Sequence, residues 1–132
     1  MLTAGDWNLR YKRQAGWTQG MRTYLFSRFN LPVNSRILEV GCGTGAVLAD
    51  LSTPVRKKLF GLDIRLDNLE LAVQHSPKVP FTCADALALP YPDGFFELTF
   101  CHFFLLWVQD PSRALGEMKR VTRQGGIVAA LA

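Results

Sequence analysis

Three acids and a glycine cluster carry the chemistry that this sequence could perform. Glu39 stands two residues before Gly41 in "ILEVGCGTGAVLADL", and Gly41, Gly43 and Gly45 follow at alternate positions around Cys42 and Thr44. Asp63 closes the apolar run "KLFGLDI", and Asp85 closes "FTCAD", just before Ala86. Pro92, Asp93 and Gly94 read as a turn. Cys101 and His102 end a further apolar run. Glycines between a strand and a helix let the backbone turn tightly and approach a ligand closely. The free N–H groups of the following helix favour a polar or anionic group there. Acids at successive strand ends accept hydrogen bonds from hydroxyl or amino groups. His102 is the best candidate for a catalytic base, against the bland reading of a hydrogen-bonded, part-buried histidine. Cys42, Cys83 and Cys101 lack CxxC spacing, which argues against a zinc site or a disulfide framework.

Such side chains need a scaffold that brings strand ends together. "RILEVG" (36–41), "KLFGLDI" (58–64), "PFTCADA" (80–86), the stretch 96–102 and "GGIVAALA" (125–132) read as five short buried strands. Helical patterns separate them: "AVLADL" (46–51), "LDNLELAVQH" (66–75) with Leu66, Leu69 and Val73 inward, and a helix opened by Asp110 and Pro111. This alternation predicts an α/β fold, a Rossmann-like and mostly parallel sheet with helices on both faces. Residues 1–34 read as two helices parted by Gly16 and Gly20, with Met21, Leu25 and Phe29 as the inner stripe of the second. Trp107 and its neighbouring phenylalanines read as core.

The chain has 132 residues, 48% hydrophobic and 20% charged, which fits one domain, a basic N-terminal segment (1–34) followed by the core (35–132). No run is long and apolar enough for a membrane span, and no signal peptide is evident, so the expected compartment is the cytoplasm. The net charge of +4 comes from residues 1–36, which carry six Lys and Arg against Asp6 alone. A solvated helix face is the favoured reading, and a nucleic-acid surface is the alternative. Arg56, Lys57 and Lys58 likewise read as solvated.

The glycines alone do not choose a ligand. Gly41, Gly43 and Ala46 also satisfy the dinucleotide pattern, and Asp63 suits the ribose of either kind of cofactor. Three features separate the readings. Glu39 would repel a pyrophosphate but suits an ammonium. The glycines run G-x-G-x-G. Asp85 supplies a further acid that can accept from an adenine amine. Ammonium, ribose and adenine in a row describe S-adenosylmethionine.

With "ILEVGCGTG", "GLDI" and "ADALALPYPDGFFELTFCHFFLLW" in order, residues 36–132 resemble the class I S-adenosylmethionine-dependent methyltransferases. The resemblance is nearest to the small-molecule group that includes the ubiquinone and menaquinone biosynthesis methyltransferases. It implies that Glu39 orients the methionine amino group, and that Gly41, Cys42 and Gly43 line the methionine and ribose. It further implies that Asp63 takes the ribose hydroxyls, Ile64 packs on adenine, and Asp85 and the Ala86 N–H hold the adenine ring. Cys101 and His102 would lie beside the methionine and a small-molecule methyl acceptor. Tyr11 and Trp17 are expected to cover the adenosyl pocket as parts of an N-terminal lid. The family's sheet continues past its fifth strand with a helix and an antiparallel strand pair, whereas this sequence stops at "IVAALA". Two alternatives follow: a non-catalytic cofactor-binding module and, ranked lower, an NAD-binding oxidoreductase. The uncovered fifth strand predicts association of copies through its edge.

Overall fold

Five parallel strands in the order β3-β2-β1-β4-β5 form the sheet. They are β1 (Arg36–Val40), β2 (Lys58–Asp63), β3 (Phe81–Cys83), β4 (Phe96–His102) and β5 (Thr122–Leu131). The computed structural model describes residues 1–51 and 57–131. Arg56 therefore lies outside the described residues. Its neighbour Lys57 is not simply solvated, because its Nζ donates to the Leu31 and Pro32 carbonyls at 2.7 and 2.8 Å.

The helices are α1 (Ala4–Arg28), α2 (Ala46–Leu51), α3 (Leu66–His75) and α4 (Pro111–Val121). Period-two alternation along the strands sorts the core into two layers. Ile37, Leu98 and Phe100 pack with Ala15, Leu48 and Leu69 on the face covered by α1, α2 and α3. Leu38, Val40 and Cys101 pack with Met118 and Val121 of α4 on the other, joined by Phe96, which shares the parity of Leu98 but precedes the irregularity in β4–β5 register. Burial on both faces is why the strands read as continuous apolar runs. Glu39 shares the parity of Ile37, and His102 that of Phe100, so both side chains project toward α1.

The N-terminal region departs from the two-helix expectation. It is one helix of 25 residues, opened by a capping box in which Thr3 and Asp6 satisfy each other's backbone N–H groups. A Cβ on Gly16 or Gly20 would meet nothing within 4 Å, so both glycines face solvent. Their unfavourable propensity, about 1 kcal/mol each, is outweighed by packing on the opposite face. That face is Ala15, Thr18 and Arg22, all buried, continued by Leu25, Phe26 and Phe29. Met21 is exposed. In α3 the buried residues are Asn68, Leu69 and Ala72, while Leu66 and Val73 face outward. Part of the basic excess of α1 covers its own rings: Arg10 lies over Trp7 and Arg28 over Tyr24.

α4 begins as expected, with the Asp110 carboxylate accepting from the Arg113 N–H. β5 starts at Thr122, earlier than the sequence pattern suggests, and its pairing with β4 shifts register between Phe96 and Leu98. Every strand pairing among the described residues is parallel.

Candidate cofactor and acceptor site

The chain turns from β1 to β2 and β3 on one side, then returns to β4 and β5 on the other. Such a reversal opens a crevice at the carboxyl ends of the central strands. In register, Val40 pairs with both Leu62 and Cys101, and Asp63 pairs with Cys83. Glu39, Asp63 and His102 are thereby gathered at one end of the sheet, around a cavity of about 330 Å³.

The glycine turn forms the cavity floor. Cys42 N–H donates to the Leu62 carbonyl at 2.9 Å, and Gly43 N–H to Asp63 Oδ2 at 2.8 Å. Gly41 and Gly43 have φ of +69° and +56°, a region that side chains disfavour. A Cβ on Gly43 would lie 2.7 Å from the Tyr11 ring, and one on Gly41 would strike Phe104. The turn is thus closed from above by α1 and by the segment after β4.

Asp63 is committed to the turn through both oxygens, since Oδ1 accepts from the Arg65 N–H at 2.9 Å. Each carboxylate oxygen still has a further acceptor site for a ligand hydroxyl. Asp85 lines the cavity, with Oδ1 accepting from Leu87 N–H at 2.9 Å. Glu39 is 2% exposed, and its Oε1 has no hydrogen-bond partner among the described residues. Burial pushes its carboxyl well above the usual range, the Asp63 charge adds to this, and the Arg22 charge opposes it. Asn68 also lines the cavity, is 1% exposed, and leaves its Oδ1 without a partner. Two buried acceptors without donors are costly, and a ligand rich in donors would relieve both.

His102 lines the cavity, and its Nε2 lies 2.6 Å from Thr18 Oγ1. Burial, reinforced by the Arg22 charge, lowers its pKa to about 4, so at neutral pH the ring is uncharged and a weak base. Burial pushes the Cys101 thiol up to about 12 and the Cys42 thiol well above its ordinary value, which leaves neither as a thiolate.

The structure brings Tyr11, Glu39, Gly41, Cys42, Gly43, Asp63, Ile64, Asp85, Ala86 and His102 to this cavity. It places three of the expected contacts elsewhere. Gly45 lies under α3, where a Cβ would come within 3.2 Å of the Ala72 Cβ. Cys101 is buried in the layer beneath α4. Trp17 is 73% exposed and stands edge-to-face with Phe103 at 6.4 Å, outside the cavity lining. Trp107 corrects the core reading in the opposite sense: it is exposed, lines the cavity, and meets Trp7 edge-to-face at 6.3 Å. Gln14, Asn68, Phe103 and Phe104 also line the cavity, although the sequence pattern did not single out their roles. Asn68 had a signal, as a polar residue next to Leu69 on an otherwise apolar inner stripe. Phe103, with φ of +54°, had none.

Comparison with known proteins supplies the family. The profile described as a methyltransferase domain matches residues 38–130. The chain is 37% identical over 97 residues to a malonyl-[acyl-carrier protein] O-methyltransferase of Halorhodospira halophila, covering 70% of this chain and 33% of that protein. It is 33% identical over 114 residues to a demethylmenaquinone methyltransferase of Renibacterium salmoninarum, covering 84% and 46%. The chain therefore spans less than half the length of these relatives. Among solved structures, the [4+2]-cyclase SpnF superposes with a TM-score of 0.76 at 30% identity, over 83% of this chain and 43% of that one. A methyltransferase bound to the Haloferax volcanii Trm112 activator superposes at 0.83 over 97% of this chain and 57% of that one; at 21% identity it shows the fold alone. With the strand order, the glycine turn and the matched domain in agreement, the chain belongs to the class I S-adenosylmethionine-dependent methyltransferase family.

Proposed function

We propose that this chain binds S-adenosylmethionine in the cavity at the β1–β4 switch point and transfers its methyl group to a small-molecule acceptor. One observation carries the reading: the buried, unpartnered Glu39 Oε1 beside the Gly41–Gly43 turn. A carboxylate oxygen so placed suits an ammonium donor. The pyrophosphate of a nicotinamide dinucleotide offers only acceptors and would add repulsion. On this reading Glu39 receives the amino group, and Gly41, Cys42 and Gly43 present backbone along the methionine and ribose. Asp63 takes the ribose hydroxyls, with Asn68 beside it as a further acceptor. Ile64 flanks the adenine, and Asp85 with the Ala86 N–H holds its edge. Tyr11 covers the turn. The bound cofactor supplies a methyl group activated on a sulfonium; the protein supplies alignment and dry surroundings.

A small-molecule acceptor is supported by relatives named for demethylmenaquinone and for malonyl-acyl-carrier protein. A similar fold serves a [4+2]-cyclase, and fold alone does not fix a reaction, so the test reads transfer as well as binding. Calorimetry with S-adenosylhomocysteine and with NAD comes first, followed by transfer of labelled methyl to quinol and carboxylate acceptors. Heat with S-adenosylhomocysteine and label in an acceptor are expected. Heat with NAD and none with S-adenosylhomocysteine would reject the reading.

A further inference from the structure

α1 carries a buried arginine that reaches the cavity-lining His102 through Thr18. Arg22 is 2% exposed. Its Nη1 donates to the Ala15 carbonyl and to Thr18 Oγ1, both at 2.6 Å, and its Nη2 donates to Asp50 Oδ2 at 2.9 Å. A guanidinium has only protons to give. Thr18 Oγ1 therefore accepts from Arg22 and retains one proton of its own to donate. His102 Nε2, 2.6 Å away, is its acceptor among the described residues. If Nε2 carried the ring proton instead, the hydroxyl would have two donors and no acceptor. The arrangement that satisfies every group puts the proton of the neutral ring on Nδ1. That nitrogen has no hydrogen-bond partner among the described residues, and the ring lines the cavity.

We propose that the Asp50–Arg22–Thr18 chain fixes His102 as an Nδ1–H donor, so that the cavity holds a subsite for an oxyanion and the methyl acceptor enters as a phenolate or enolate. The acceptor class rests on the methyltransferase reading; the tautomer does not. The other groups on the wall agree with an acceptor that needs no deprotonation. The basic nitrogen of His102 is already engaged, and on the methyltransferase reading Glu39 faces the ammonium. Both Asp63 oxygens accept backbone N–H groups, and Cys101 lies behind the wall. An oxyanion brings its own electron pair. As that pair, directly or through the conjugated carbon, forms the bond to the methyl carbon, the carbon–sulfur bond breaks with its electrons passing to sulfur. A cation yields a thioether and an anion becomes neutral; on oxygen no proton moves, and on a carbon that bore hydrogen the displaced proton passes to the acceptor oxygen. An Nδ1–H aimed at the acceptor oxygen positions it, and the Arg22 charge two hydrogen bonds behind strengthens the donor.

The test has two arms. Long-range ¹H–¹⁵N spectra report which nitrogen of each ring is protonated, and the chain has two histidines, so a His75→Gln variant assigns them. His102 is expected to be protonated on Nδ1 in the wild type and in Thr18→Ser, and to lose that preference in Thr18→Val. A proton on Nε2 in the wild type, or an identical spectrum in folded Thr18→Val, would overturn the proposal. The second arm titrates 4-nitrophenol, in the presence of S-adenosylhomocysteine, by phenolate absorbance. Phenolate should bind, His102→Leu should weaken it by about tenfold or more, and His102→Asn, which keeps a donor near the Nδ1 position, should retain most of the affinity. Absence of phenolate binding in protein that binds S-adenosylhomocysteine would overturn the oxyanion subsite. Failure to bind S-adenosylhomocysteine would instead reject the methyltransferase reading, and the acceptor class with it.

Discussion

At Glu39 the proposed ammonium contact is set against stability at a single carboxyl. Because burial raises its pKa well above 4.5, the folded chain keeps a proton that the unfolded chain loses as pH rises through that value. Stability therefore falls with rising pH across the window between the ordinary and the raised pKa. Glu39→Gln should be more stable than wild type above that window, with a flatter pH profile, while S-adenosylhomocysteine affinity drops by about 1.5–3 kcal/mol, as for a lost hydrogen bond to a charged group. Urea unfolding across pH, paired with calorimetry, checks both signs; wild-type affinity in the variant would remove Glu39 from the site. Asp63→Ala should weaken binding by a similar amount, about 1.5–3 kcal/mol, because it removes the proposed ribose acceptor and frees the Gly43 and Arg65 N–H groups that hold the turn. A folded Asp63→Ala protein with unchanged affinity would refute that role. This part of the site was legible because acids at strand ends and glycines in a turn are local patterns. Asn68, Gln14 and the wall at Phe103 and Phe104 were not, since their place depends on how α3, α1 and the segment after β4 pack over the turn.

The elements show the same division. All five strands and the helices after the first were readable, because buried parallel strands and the Asp110-Pro111 start leave strong local marks. The continuity of α1 was not. Gly16 and Gly20 look like breaks until their side is known to face solvent, and the burial of Arg22 reverses the usual reading of a charged residue as outer face. Four-residue spacing also misplaced the stripe, because a helix of 3.6 residues per turn drifts away from it. That buried arginine ties α1 to α2 through Asp50, which is half exposed. Arg22→Met removes the donor shared by the Ala15 carbonyl, Thr18 Oγ1 and Asp50 and should cost about 1.5–3 kcal/mol, the range for hydrogen bonds lost from a charged group. Denaturant midpoints would measure it, and a loss near zero would mean that the network adds no stability. With Tyr11 over Gly43 and Trp7 against Trp107, the first half of α1 is placed to respond to the ligand. Limited proteolysis within residues 1–34 should slow when S-adenosylhomocysteine is bound. Equal rates with and without it would leave α1 as a fixed strap rather than a lid.

At the scale of the whole molecule, the order β3-β2-β1-β4-β5 leaves two sheet edges among the described residues. β3 has three residues and offers little to pair with, whereas β5 runs for ten. Among the described residues, the side of β5 away from β4 has no strand partner along "IVAAL", a stretch with no lysine or proline to discourage one. Val128 adds an exposed β-branched side chain there. Charge gives little protection, because the positive excess lies on α1 and the remainder of the chain is close to neutral. We therefore expect this chain to associate with itself through the β5 edge, in a way that depends on concentration. Val128→Lys would place a charge in the contact and should shift the population toward monomer without altering S-adenosylhomocysteine affinity, since Val128 is not part of the cavity. Light scattering over a range of concentrations reads the outcome. A strictly monomeric wild type, or association that Val128→Lys leaves unchanged, would show that the edge is not the contact.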